Sequence, residues 1–166
     1  YELTYEDLLE LKGIGPVKAI QLKAVAELSR RIARTNRGYQ LQMNNPKTIA
    51  DYFMEDMRHH RVEVFKGAFF DAKCNFIGSE TVAKGSLSFA YVSPMELFRK
   101  ALLKNAVMIV ILHNHPSGDP TPSQEDLELT QQIARGAQLL GITLADHIVI
   151  GDNRYYSFRE NHRLET

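Results

Sequence analysis

Two spacings of apolar residues alternate along the chain. Steps of three and four predict helices, and short unbroken apolar runs predict buried strands. Residues 5–11 predict a short helix that Thr4 caps, ended by Gly13-Ile14-Gly15-Pro16. A second helix follows, with Val17, Ile20, Ala24, Leu28 and Ile32 on one stripe. Residues 38–45 read as a linker or a first strand. Asn45-Pro46 then starts a helix running to about residue 60, with Ile49, Tyr52, Phe53 and Met57 on its apolar face. Its end carries His59 and His60, which make a poor ligand pair because adjacent positions do not share a helix face, and which are expected at the surface or boundary. Strands are predicted over residues 61–71, 76–82 and 85–92, with a turn at 71–75. A helix from Ser93-Pro94 to about residue 105 is expected to bury Leu97, Phe98, Ala101 and Leu102.

The run Ala106-Val107-Met108-Ile109-Val110-Ile111-Leu112 predicts the most buried strand. A helix over 124–140 with Gly141 as its left-handed cap, a strand over 142–150 and a turn at 151–153 complete the pattern. The order predicts an α/β fold, a mixed β-sheet flanked by helices over residues 38–166. A small all-α unit over residues 1–37 precedes it.

The candidate chemistry sits where the buried run ends, in His113-Asn114-His115-Pro116-Ser117-Gly118-Asp119-Pro120-Thr121-Pro122-Ser123-Gln124-Glu125-Asp126. Side chains alternate along a strand, so His113 and His115 leave it in one direction. Three prolines forbid helix and impose a stiff loop. Asp126 then falls in the first turn of the next helix. Two imidazoles and a carboxylate form the ligand set of a catalytic zinc site, with a position left for water. Ser123 and Asp126 also read as a capping box, which alone would account for both residues. Ser123 is a candidate for two tasks, capping the helix and steadying a developing oxyanion.

His-x-His-Pro followed by Ser-x-x-Asp resembles the JAMM (MPN+) metalloprotease signature. The wording His-Asn-His-Pro-Ser-Gly-Asp-Pro-x-Pro-Ser resembles the RadC family within it, as does Asp146-His147-Ile148-Val149-Ile150-Gly151. The resemblance spans nearly the whole chain. It implies a JAMM/MPN-like domain with cytidine-deaminase-like layering and a zinc-dependent hydrolase site. One Zn2+ would be held by His113, His115 and Asp126, for cleavage of an amide or isopeptide bond in a protein or peptide substrate. JAMM-like enzymes carry a general-base Glu on the strand after the first domain helix. Glu63 holds that place here, with Glu80 and Glu96 as rivals. Asp146 and His147 are expected to orient a ligand from behind.

Leu-Lys-Gly-Ile-Gly-Pro-Val-Lys-Ala resembles a helix-hairpin-helix motif, with Lys12, Gly13, Gly15 and Lys18 as candidate contacts to a DNA backbone. From Lys12 to Arg37 seven Lys or Arg (Lys12, Lys18, Lys23, Arg30, Arg31, Arg34, Arg37) face one acid, Glu27. The whole chain nevertheless has a formal net charge of zero, so no global field steers it to nucleic acid. The same glycines serve equally as a tight turn that contacts only protein.

At 166 residues the chain holds one good core and a small appendage. Its single cysteine, Cys74, excludes an internal disulfide and a multi-cysteine metal site, and fits a reducing cytoplasm. No apolar run is long enough for a membrane and no signal peptide is expected. The chain begins at Tyr1 rather than Met, as a fragment would. The zincin His-Glu-x-x-His and the deaminase Pro-Cys-x-x-Cys are absent. The competing classes are a metal-dependent nuclease fed by the basic hairpin and a DNA-associated adaptor without catalysis. Composition does not set the oligomeric state.

Overall fold

A computed structural model of the protein describes residues 3–35, 45–85 and 92–164, with the side chains of 30–35 excepted. The expectations for residues 38–44 and 86–91 therefore lie outside the described residues, as do those for the side chains of Arg30, Arg31, Ile32, Arg34 and Arg37. Contacts divide the chain into two compact units, Tyr1–Tyr39 and Gln40–Thr166.

The first unit holds helices α1 (Tyr5–Leu9) and α2 (Pro16–Thr35). Thr4 and Asp7 form a reciprocal capping box that starts α1. The turn between the helices needs glycine at Gly13, whose φ is +89°. Lys18 Nζ donates to the Gly13 carbonyl and closes the turn. The predicted stripe on α2 is helical but not buried: Val17, Ile20 and Leu28 are 69%, 59% and 58% exposed. Helical spacing states which residues share a face, not whether anything covers it.

The second unit is a five-stranded sheet with helices on both faces. Its elements run α3 (Pro46–Met57), β1 (Val64–Phe70), β2 (Phe76–Lys84), α4 (Pro94–Leu103), β3 (Met108–Asn114), α5 (Gln124–Leu139), β4 (Thr143–Ile150) and β5 (Tyr155–Ser157). The strand order is β2-β1-β3-β4-β5. Among the described strands only β3 and β4 run parallel, joined through α5; the other neighbours are antiparallel. Asn45 caps α3 by accepting from the Lys47 amide, with Pro46 in the first turn. Ser93 and Pro94 start α4 in the same way. Gly141 follows α5 with φ +67°.

Alternation along the central strands sorts the core into two layers. Val110 and Leu112 pack with Ile49, Phe53 and Met57 of α3. Ile109 and Ile111 pack with Leu97, Phe98 and Ala101 of α4 and Leu129, Ile133 and Ala137 of α5. Each fully buried Phe, Ile or Leu contributes roughly 1.5–3 kcal/mol. Leu102, expected in this layer, is 53% exposed on the outer side of α4. Gly67 lets α4 sit close to the sheet, since a Cβ there would meet Leu97 Cδ1 at 2.6 Å.

One irregularity matters for the site. Leu144 lies opposite Ile109, yet Asp146 lies opposite Val110, so Ala145 is an extra residue in β4. A one-residue shift moves every later side chain to the other face. As a result His147 is opposite Ile111, on the α5 face, the face that also carries His113.

Candidate metal centre

His113 lies near the end of β3, between Phe65 of β1 and Val149 of β4. Its side chain is only 1% exposed. His115 lies just beyond the strand, where its amide donates to the Ile150 carbonyl and keeps it in the line of β3. The proline-rich loop then folds back against the end of β4. The amides of Gly118 and Asp152 donate to the carbonyls of His115 and Gly118. Gly151 has to be glycine for this closure: a Cβ there would meet the Gly118 oxygen at 2.4 Å and Pro120 Cδ at 2.8 Å. Backbone atoms cannot step aside as side-chain tips can. The loop is thereby pressed onto the sheet, and α5 begins with Asp126 over the two histidines.

Asp126 caps the helix and also faces the two imidazoles. Its Oδ2 accepts from the Ser123 amide and hydroxyl, both at 2.7 Å, while Ser123 Oγ accepts from the Asp126 amide. The carboxylate also faces the imidazoles, with Oδ1 at 3.0 Å from His113 Nε2 and Oδ2 at 3.4 Å from His115 Nε2. The two Nε2 atoms are 3.0 Å apart. Four atoms of three residues thus converge on one point, and one ligand atom from each lies within 4.8 Å of the others.

The chemistry of these atoms fits a cation. A backbone carbonyl only accepts, and His115 Nδ1 lies 2.8 Å from the Asp119 carbonyl oxygen. The proton of neutral His115 is therefore on Nδ1, and its Nε2 presents a bare lone pair to Asp126. Acceptors facing acceptors at this range repel unless a positive charge lies between them. A tetrahedral zinc ion with ligands at about 2.0–2.1 Å spaces them roughly 3.3 Å apart, close to the separations seen here. A proton is the smaller occupant of the same place. The hydrogen bond with Asp126 outweighs burial and, with the Asp119 carbonyl and the charge of Glu63, raises the His115 pKa above the ordinary histidine value. Burial works against charge on Asp126, but its bonds with both histidines win and lower its pKa well below the usual carboxylate range.

A metal ion bound here would compete with a proton for His115. With its pKa raised, His115 carries a proton up to a higher pH than an ordinary histidine, and an entering ion must displace it. Zinc affinity of the metal-free protein is expected to rise with pH and level off once His115 is neutral. Calorimetry in buffers of different ionisation enthalpy checks this. About one proton should be released per ion on the acid side of the His115 titration and fewer above it.

Glu63 is the residue before β1 rather than inside a strand, and it is half-buried. Its carbonyl accepts from the Gly85 amide. Its carboxylate is near enough for its charge to help raise His115. The rivals are engaged elsewhere. Glu80 pairs with Lys104 at 2.9 Å, and Glu96 pairs with Arg99 at 2.9 Å in the first turn of α4.

Asn114, between the two ligand histidines, points to the other face of the sheet, as alternation requires. It is fully buried. Its Oδ1 accepts from the Val64 amide at 2.8 Å, and its Nδ2 donates to the carbonyls of Val62 and His60 at 3.2 and 3.4 Å. Three backbone groups around Glu63 are tied to the strand that carries the ligands. Asn114 is not among the residues singled out from the sequence. The available signal was an amide at the core-facing end of a buried strand, which must find buried partners.

Of the two residues expected behind the ligands, only His147 is there. Its Nε2 lies 2.9 Å from His113 Nδ1. Asp146 faces away, correcting its expected role. Its carboxylate accepts from the Ser157 hydroxyl at 2.6 Å and from the amides of Arg159 and His147. It braces β5 and the turn after it onto β4. Burial raises its pKa to about 6 despite these bonds. Lys12, Gly13, Gly15 and Lys18 belong to the first unit. No helix among the described residues is long and apolar enough to cross a membrane.

Comparison with known proteins places this arrangement. Residues 43–164 match the RadC-like JAB domain family, which is most of the second unit and includes every residue of the centre. The chain belongs to the RadC family. It is 42% identical over 158 residues to a UPF0758 protein of Desulfitobacterium hafniense (strain DSM 10664 / DCB-2), covering 95% of this chain and 70% of that protein. It is 40% identical over 159 residues to a UPF0758 protein of Geobacillus thermodenitrificans (strain NG80-2), covering 96% and 70%. The RadC-like JAB domain is thus the mixed α/β body described above, a metallohydrolase-like fold with three residues able to share one metal ion at a strand end.

Proposed function

We propose that the protein is a zinc-dependent metallopeptidase of the JAMM type that hydrolyses an amide or isopeptide bond. The observation that carries this reading is the convergence of His113, His115 and Asp126 on one point with the Glu63 carboxylate close by. When bound, zinc supplies Lewis acidity to a carbonyl and makes water acidic near neutral pH. His113, His115 and Asp126 would hold it. Glu63 takes a proton from the attacking water and returns it to the departing nitrogen, which would otherwise leave as an unstable amide anion. Ser123 has one hydroxyl proton, given to Asp126 here. It serves the oxyanion by turning that proton toward the substrate oxygen, while the Ser123 and Asp126 amides keep the helix start in place.

The test is Glu63→Gln. The variant keeps size and hydrogen-bonding capacity but cannot take up a proton. Zinc content should match the wild type, and hydrolysis of a peptide library carrying linear and lysine-linked amides should fall by about 10²–10⁴-fold. New amine ends are read by mass spectrometry. Loss of zinc in the variant would make Glu63 a ligand instead.

A second reading, a nuclease or a non-catalytic adaptor on DNA, draws support from Gly15. Unlike Gly13, it has no positive φ, and nothing lies within 4 Å of where its Cβ would be. The fold does not demand glycine there, whereas close approach of a phosphate to the backbone would. Labelled duplex incubated with the zinc-loaded protein separates the readings. Cleaved strands favour the nuclease, and intact strands with salt-sensitive binding favour contact through Lys12 and Lys18.

A further inference from the structure

Behind the metal centre runs a buried chain of hydrogen bonds that ends on a residue the proposed chemistry does not use. His113 Nδ1 lies 2.9 Å from His147 Nε2, and His147 Nδ1 lies 2.6 Å from Thr130 Oγ1. Thr130 Oγ1 in turn lies 2.5 Å from the Asp126 carbonyl oxygen, one helical turn back along α5. His113, His147 and Thr130 are all at most 2% exposed, so water does not interrupt the chain. Phe158 stacks on the His147 ring with centroids 4.6 Å apart, which holds its plane.

The direction of these bonds follows from counting hydrogens. A carbonyl oxygen cannot donate, and two oxygens this close repel without a hydrogen between them. The single Thr130 hydroxyl hydrogen is therefore given to the Asp126 carbonyl. Thr130 Oγ1 is left as an acceptor, so the bond from His147 carries its hydrogen on Nδ1. His147 is completely buried and its ring nitrogens face His113 and Thr130 rather than a carboxylate, which disfavours a charged ring, and a neutral imidazole has one N–H. Its Nε2 must then accept, and the donor can only be His113 Nδ1–H. By the same count the Nε2 of neutral His113 is bare and directed at the point shared with His115 and Asp126.

We infer that Thr130 is a positioning residue for the metal centre, selecting through His147 the tautomer of His113 that leaves Nε2 open to the ion. The inference rests on the metal-centre reading and involves no change of charge, only the choice between two neutral tautomers. Asp126 Oδ1, 3.0 Å from His113 Nε2, attracts a proton to that nitrogen, and the relay opposes this pull. Without the Thr130 hydroxyl, His147 loses the acceptor for Nδ1–H and moves its proton to Nε2. His113 Nδ1 must then accept, and its own proton shifts to the nitrogen meant for the metal. The helix supplies the device cheaply, because Asp126 and Thr130 are four residues apart and share a face. His115 reaches the same result by a separate route, through the Asp119 carbonyl, and so serves as an internal control.

The test has two parts on the full chain. In the zinc-loaded wild type, nitrogen-15 correlation spectra of the imidazoles should show His147 protonated at Nδ1 and bare at Nε2. The opposite tautomer would overturn the inference without any variant. Thr130→Val, nearly isosteric, should bind zinc 10–100-fold more weakly than wild type. Thr130→Ser, which restores the hydroxyl, should recover affinity to within about threefold. The His115 tautomer should be unchanged in both. Thr130→Val binding as tightly as wild type would overturn the role of Thr130 and leave the metal centre standing. A wild-type chain that takes up no zinc would overturn the metal-centre reading and this inference with it.

Discussion

Replacing His115 or Asp126 with alanine is expected to strip the protein of zinc. Each change leaves two of three protein ligands, and a tetrahedral site with two open positions does not retain its ion against dialysis. The two variants should differ in another respect. His115→Ala removes a half-buried ring at the start of the loop and should cost little folding stability. Asp126→Ala also removes the side-chain arm of the capping box, because the Ser123 amide and hydroxyl lose their acceptor while the residue 126 amide still reaches Ser123 Oγ, a loss of roughly 0.5–1 kcal/mol. Asp126→Asn separates the two tasks, since its amide oxygen still accepts from the Ser123 amide but carries no charge for the metal. Elemental analysis after dialysis should find zinc at background in all three, with denaturant midpoints lowered chiefly for Asp126→Ala. Zinc retained at the wild-type level in Asp126→Asn would remove the carboxylate from the ligand set.

Asp126 shows what a linear pattern conveys and what it leaves out. Ser-x-x-Asp before an apolar run is a helix start on local grounds alone, and paired histidines at a strand end are a ligand pair on chemical grounds alone. Both statements were available in the sequence. That one carboxylate satisfies both is a matter of where the proline-rich loop lands, which depends on Gly151 and on the pairing of β3 with β4. The same limit explains His147 and Asp146. Adjacent strand residues face opposite ways, so the two could not both support His113. Choosing between them requires the bulge at Ala145, and nothing in the apolar spacing of β4 announces it. Thr130 lies on the buried face of α5 with Leu129 and Ile133, and a hydroxyl within an apolar stripe is a weak signal that only its neighbours in space make legible. The exposed stripe on α2 and the exposed Leu102 are the reverse case, apolar residues with a correct period and no cover within the described residues.

Asn114→Ala is expected to give the largest loss of stability among single changes around the centre. The side chain is buried, and its removal leaves the Val64 amide and the Val62 carbonyl without these partners as well as a small cavity. The stranded Val64 amide costs about 1–3 kcal/mol and the cavity adds to it, whereas water can reach the exposed Val62 segment, so a total of roughly 2–4 kcal/mol follows, large against the stability of an ordinary domain. Asn114→Asp should do no better. One carboxylate oxygen still accepts from Val64, but the other meets the carbonyls of Val62 and His60, where only a donor fits. Urea unfolding of both variants checks the magnitude, and a cost below about 1 kcal/mol for alanine would show that solvent or a shifted backbone replaces the amide. The catalytic consequence is separable from the thermodynamic one. Asn114 holds the segment bearing Glu63 and lies between His113 and His115, so the proposed base and the proposed ligands are set by one piece of backbone. At a temperature where Asn114→Ala remains folded, the histidines still point the other way and zinc should bind with little loss. Turnover should nevertheless fall toward that of Glu63→Gln, because a carboxylate displaced by about an ångström no longer reaches its proton.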